Sequence, residues 1–160
     1  IGFIGTTSPP EDSIATLLGE MNLHIYASKE YLKKIKNVDD FEWVTYKRND
    51  SSDTDFVVNS FFSNPKVIIS SNSYQDAHAF VASGNGATFL TDLDGDNDPR
   101  LEVYCREEYS FKIGFYLIQH ELSRSNPIVR AVKQTILENI EELLQGSNFV
   151  ASSNVKKIAN

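Results

Sequence analysis

Residues 18–46 read "LGEMNLHIYASKEYLKKIKNVDDFEWVTY", and the reading of this stretch decides the fold. It runs strand, serine, short helix, polar turn and strand with hardly a residue between them. "LHIYA" (23–27) is strand-like through Ile25 and Tyr26, both good strand formers. Ser28 can cap the helix "KEYLKKIK" through its hydroxyl, and Glu30 falls in the first turn, where the helix dipole favours an acid. "FEWVTY" (41–46) begins the next strand. Nothing in the stretch looks catalytic.

Working outward, "IGFI" is a short apolar strand followed by the turn-forming loop "GTTSPPEDS". On the other side, "KRNDSSDTD" reads as a polar turn, "FVVNSFF" (56–62) as a strand and "KVIIS" (66–70) as another. Ser73 and Asp76 then resemble a capping box, and Tyr74, Ala77, Phe80 and Val81 recur at helical steps up to a stop at Gly84. "ATFL" is a strand, "DLDGDNDP" an acidic loop, "LEVYC" a strand and "FKIGFYLIQ" a long one. The last helix is the clearest. Asn126 caps it, Pro127 takes its first position, and Ile128, Val129, Val132, Ile136, Leu137, Ile140, Leu143 and Leu144 form one stripe before Gly146. Residues 146–160 are a polar tail, expected to fray. Strands alternating with helices predict an α/β protein with a mixed sheet.

Composition narrows the function. The 160 residues suffice for one ordinary domain, and 41% hydrophobic content can build its core. No apolar run approaches the roughly 18–20 residues of a membrane span, so no membrane partner is expected. "IGFIGTT" lacks the basic region and cleavage site of a secretory signal, and without an initiator Met the chain reads as a processed or trimmed piece. The single cysteine, Cys105, permits no internal disulfide and fits a reducing, cytoplasmic compartment. It reads as structural rather than reactive, because Glu107 and Glu108 offset the charge of Arg106. A net charge of −7 with no basic stripe excludes a direct grip on DNA phosphates.

Several motifs fail on spacing. The alternating Asp92, Asp94, Asp96 and Asp98 suggest calcium, but an EF-hand loop needs Gly at its sixth position and Glu at its twelfth. Counting from Asp92 these are Asn97 and Val103; from Asp94 they are Pro99 and Cys105. "GNG" (84–86) follows a helix and precedes a strand, the reverse of a dinucleotide site. His24, His78 and His120 are dispersed, and no serine sits in a G-x-S-x-G elbow. No metal, no cofactor and no catalysis are therefore expected. What remains is "ISSNS" (69–73), where a strand leads into a helix. Unpaired N–H groups and the dipole there favour an anion. Ser70, Ser71 and Asn72 could add donors, joined by Thr45, Lys47 and Arg48 from the loop after "FEWVTY". The same serines and asparagine could equally do no more than cap the helix.

Three stretches, taken in register, resemble the effector-binding domain of LysR-type transcriptional regulators. "SIATLLGEMNLHIYASKEYLKKIKNVDDFEWV" carries the family's "LG", strand, "AS-x-x-YL", helix and turn. "VIISSNSYQDAHAFVASGNGATFLT" matches its strand, polar turn, helix and "GxG" segment, and "GFYLIQHELSRSNPIVRAVKQTILENI" its closing strand and helix. The likeness spans residues 1–145, with Thr91 standing where the family usually has Pro. It implies a fold like the periplasmic binding proteins, two α/β subdomains joined by crossover strands, the first incomplete here. Residues 1–20 and 108–145 would be the remnant of the first subdomain and 21–107 the second. It implies an effector-sensing role, with a small anionic metabolite in the inter-subdomain cleft. The effector positions of the family fall on Thr45 to Arg48 and Ser70 to Asn72, with Thr6 and Thr7 facing them. The full-length regulator would be a dimer or tetramer that reaches DNA only through an N-terminal domain outside this chain. A solute receptor for transport or chemoreception is the alternative of the same fold, and an enzyme on a related cleft fold a more distant one.

Overall fold

Every residue from Leu23 to Ser28 is buried in the computed structural model, which describes residues 1–47, 53–143 and 150–152. A strand covered on both faces has no reason to alternate, which is why "LHIYAS" reads as a continuous run. In chain order the elements are β1 (Gly2–Thr6), β2 (Ser13–Ser28), α1 (Lys29–Lys34), β3 (Glu42–Tyr46), α2 (Asp53–Phe61), β4 (Lys66–Ser71) and α3 (Tyr74–Ala82). Then follow β5 (Ala87–Thr91), α4 (Asp92–Asp96), β6 (Leu101–Tyr104), β7 (Ser110–His120), α5 (Pro127–Leu143) and β8 (Val150–Ala151). Two compact units result, Ile1–Asn22 with Lys112–Asn160, and Leu23–Phe111. The chain leaves the first unit within β2 and re-enters it within β7.

In the first unit β1 pairs antiparallel with β7, Gly2 opposite Ile118 and Thr6 opposite Gly114. Helix α5 starts as its sequence predicts, the Ile128 N–H donating to Asn126 Oδ1 at 2.9 Å. Its stripe is covered unevenly. Leu137 and Ile140 are buried with Leu18 and Leu117, and Ile136 packs beside them, whereas Ile128 is 72% exposed. Leu144 and Gly146 lie outside the described residues, as do most of residues 146–160. Of that polar segment, Val150 and Ala151 pair with Glu20 and Gly19, and the Ser152 N–H donates to the Leu18 carbonyl at 2.7 Å.

In the second unit β5 and β6 both run antiparallel to β2, while β3 lies parallel to β4 and β5. Trp43, Tyr26, Phe41 and Phe89 fill its core, and the Trp43 and Phe89 rings stack at 5.8 Å. Ser28 caps α1 by accepting from the Tyr31 N–H at 3.0 Å. Gly84 ends α3 at φ +97, as expected from its sequence. Gly86, at φ +78, passes so close that a Cβ would stand 2.5 Å from the Glu42 carbonyl oxygen.

Two expected elements differ. "FVVNSFF" is not a strand but most of helix α2. Thr54, Val57 and Val58 are buried and Phe61 half-buried, a three- and four-residue spacing that outweighs the strand preference of Val and Phe. "DLDGDNDP" is not a loop throughout, since Asp92–Asp96 form α4. Thr91 Oγ1 accepts from the Asp94 N–H at 3.2 Å, so the residue standing in place of Pro is the helix cap.

Candidate functional site

The parallel register of β3 and β4 sets Thr45 opposite Ser70 and Tyr46 opposite Ser71. Two of the sequence-predicted clusters thus sit side by side at the carboxyl ends of adjacent parallel strands, where open α/β sheets bind ligands. The Lys47 N–H extends the ladder, donating to the Ser71 carbonyl at 2.7 Å. Helix α3 begins three residues beyond Ser71.

The individual side chains divide sharply. Ser71 Oγ donates to the Ser73 carbonyl and accepts from the Ser73 N–H, both at 3.0 Å, so its hydroxyl is committed to the turn. Ser73 is the cap of α3, accepting from the Asp76 N–H at 3.2 Å. Ser70 and Asn72 are exposed, and neither side chain is hydrogen-bonded among the described residues. Lys47 is exposed as well, and Arg48 lies outside the described residues. Thr45 is the exception: it is fully buried, and its Oγ1 has no hydrogen-bond partner among the described residues. An unmade hydrogen bond of this kind costs roughly 1–3 kcal/mol.

Supporting residues that the sequence did not single out hold this corner. Thr54, at the start of α2, accepts from the Tyr46 N–H at 2.5 Å and donates to the Tyr46 carbonyl at 2.8 Å. The Tyr46 ring meets Tyr74 edge-on at 5.7 Å. The Tyr74 hydroxyl donates to Asp94 Oδ2 at 2.7 Å, and burial with the adjacent Asp94 charge pushes its phenol above the usual range. Thr54 was concealed in a segment that reads as a polar turn.

In the first unit, Thr6 is buried, and its Oγ1 donates to the Ser8 carbonyl at 3.1 Å and accepts from the Ser8 N–H at 3.2 Å. Thr7 is exposed.

A second polar cluster lies in the second unit. His24 Nδ1 and Arg106 Nη1 each stand 2.6 Å from Asp92 Oδ1, and the Tyr26 hydroxyl donates to it at 3.2 Å. Tyr26 also donates to Asp96 at 2.7 Å, and Arg106 pairs with Asp96 through Nη2. Burial and the bond to Asp96 push the Tyr26 phenol far up. These groups satisfy one another and brace β2 against α4. Arg106 is therefore engaged by Asp92 and Asp96, not by its neighbours Glu107 and Glu108. Cys105, beside it, is exposed at φ 42. His78 and Arg100 converge on Asp98 nearby, at 3.1 and 2.6 Å. Among the described residues no group of histidine, cysteine or acidic side chains could hold a metal ion.

A cavity of about 370 Å³ opens beside α1, lined by Ser28, Lys29, Glu30, Ala82, Ser83, Gly84 and Arg100. Among the described residues it includes none of the predicted effector positions.

The family model described as the LysR substrate binding domain matches residues 1–141. Among solved structures, the apo regulatory domain of HypT from Salmonella typhimurium is similar at TM-score 0.65 and 13% identity, over 86% of this chain and 71% of that one. The CrgA regulatory domain from Neisseria meningitidis, a LysR-type transcriptional regulator, gives 0.63 and 17%, over 87% and 75%. Full-length HypT gives 0.59 and 14%, over 84% of this chain and 50% of that one. At these identities the likeness speaks for the fold, periplasmic-binding-protein-like α/β. No match was found among curated proteins.

Proposed function

The chain belongs to the LysR substrate-binding-domain family, and we propose that within it this domain senses a small anionic metabolite at the carboxyl ends of β3 and β4. The observation that carries this reading is Thr45. A buried hydroxyl without a hydrogen-bond partner among the described residues, on a strand residue paired with the exposed Ser70, suits a ligand that supplies the missing bond. Lys47 supplies positive charge, and the N-terminus of α3 adds its dipole. Ser71 contributes by holding the turn.

The remainder of the reading rests on family membership. By the family's pattern the two units are its two effector subdomains, and Thr6 and Thr7 are candidate effector contacts in the first. Ligand that binds one closure state more tightly shifts the population toward it and thereby the arrangement of attached DNA-binding domains. The full-length protein is a cytoplasmic dimer or tetramer that meets DNA through an N-terminal domain, and this domain catalyses no reaction. Among the described residues no helix is long and apolar enough to cross a membrane.

A thermal-shift panel of small carboxylates and phosphates, run on wild type and Thr45→Val, tests the site. At least one anion should raise the melting temperature of wild type in a concentration-dependent manner. The variant should need about tenfold more of it, equivalent to about 1.4 kcal/mol of binding energy. An anion that stabilises both proteins equally binds elsewhere, and the proposed site is then wrong.

A further inference from the structure

A second cavity, of about 340 Å³, lies at the opposite end of β3 from Thr45. Its walls are Trp43, Phe61 and Phe62, with Asp39, Ser63 and Asn64 among its polar lining. Its volume is in the range of small-molecule sites, and its composition, aromatic walls with a few polar groups, is what such sites have. The rings hold one another in place: Trp43 and Phe62 are tilted at 4.9 Å, and Phe61 stacks on Phe89 at 5.6 Å. The walls are therefore preformed.

Trp43 is 1% exposed, and its indole N–H has no acceptor among the described residues. Yet that nitrogen is not among the buried polar atoms cut off from solvent. Trp43 is itself one of the residues that line the cavity. The wall thus offers one neutral donor from its apolar side and one carboxylate, Asp39, from its polar side. Among the described residues no lysine or arginine lines it. A carboxylate ligand would meet Asp39 with like charge, and a purely apolar one would leave the indole N–H unpaired.

From this combination we propose that the cavity binds a small neutral aromatic molecule carrying both a hydrogen-bond acceptor, for Trp43, and a donor, for Asp39. The aromatic ring lies against Phe61 and Phe62. The site is separate from the anion site at the other end of β3 and does not depend on it. Its ligand differs in charge as well as in place.

The chain has a single tryptophan, so its ¹H–¹⁵N spectrum contains one indole N–H signal, and that signal reports the cavity wall directly. Benzamide, which has the ring, the acceptor and the donor, is the probe, and benzoate, of the same shape but anionic, is the control. Benzamide should shift the indole signal saturably, and benzoate should bind at least tenfold more weakly. Asp39→Ala, a change at an exposed residue, should bring the two affinities together. Ser63→Phe, which sets a ring into the cavity, should abolish the shift. No saturable shift up to the solubility of benzamide overturns the proposal, as does equal affinity for benzoate in wild type. A shift that survives Ser63→Phe places benzamide elsewhere and overturns it too.

Discussion

Thr45 and Asp92 are two buried polar residues in opposite situations, and single substitutions should separate them. Replacing Thr45 by Val exchanges a hydroxyl without a partner for a methyl group of nearly the same volume. The unliganded variant should be as stable as wild type or more so, by about 1 kcal/mol in urea unfolding, although its anion binding is weakened. A loss of more than about 1 kcal/mol would mean that the hydroxyl has a structural partner after all. Asp92 is the reverse case, with three donors on one carboxylate oxygen. Arg106→Ala takes a charged partner from buried Asp92, and Asp96 loses its own ion pair with Arg106. Removing one member of a buried pair costs roughly 3–5 kcal/mol. Arg106 keeps about a third of its side chain in solvent, so the expected loss is nearer 2 kcal/mol after screening. Equilibrium denaturation at low and high salt measures both the loss and its screening.

At the scale of elements, α5 shows how little an apolar stripe says by itself about where it is covered. Leu137 is 3% exposed and Ile128 is 72% exposed, yet the two are equivalent in the sequence pattern. Leu137→Ala should destabilise the chain by about 3 kcal/mol, within the range for a large-to-small change in a packed core. Ile128→Ala should change stability by less than about 0.5 kcal/mol, as surface substitutions do. Comparable losses from both, in the same denaturant series, would mean that Ile128 is covered in solution. Helix α2 makes the complementary point. Its Val and Phe residues carry a strand preference, and only their burial pattern shows the helical period. For α4 the acidic residues suggest a solvated loop. The Thr91 cap, and the Arg106 guanidinium that pairs with Asp92 and Asp96, turn them into a short helix.

The response of the whole molecule to acid is set in part by carboxylates held in their ionised form. Hydrogen bonds from Arg100, aided by His78, hold the Asp98 carboxyl well below the usual carboxylate range. A group depressed in the folded state stabilises it above its unfolded pKa, and this contribution is lost as pH falls through the folded value. The stability advantage of wild type over Asp98→Asn should therefore persist down to about pH 5. It should shrink as pH falls below about 4, the ordinary value for an aspartate. A difference that does not change with pH would show that the loss in Asp98→Asn comes from packing and not from charge.

Much of this could be read from residues alone. The caps at Ser28, Ser73 and Asn126, the stop at Gly84 and the strands "LHIYA" and "KVIIS" are local statements, in which a side chain meets its own backbone within a few positions. The Thr45 and Ser70 clusters were expected together at strand ends, but the parallel β3–β4 register that sets them opposite one another was not legible. The unfilled hydroxyl of Thr45, the Tyr46–Thr54 clasp and the convergence of His24, Tyr26 and Arg106 on Asp92 were not legible. Each joins residues from different elements, and His24 and Asp92 are 68 positions apart. The sequence by itself determined the helix caps, the stop at Gly84, most of the strands and the family, because these depend on periodicity, capping and turn chemistry along the chain, but not the helical state of α2 and α4. Only the tertiary structure decided which half of the α5 stripe is buried, that Thr45 is buried while Ser70 is left exposed, and which charges neutralise one another. Burial and partner choice are set by what packs alongside, and no local pattern contains that.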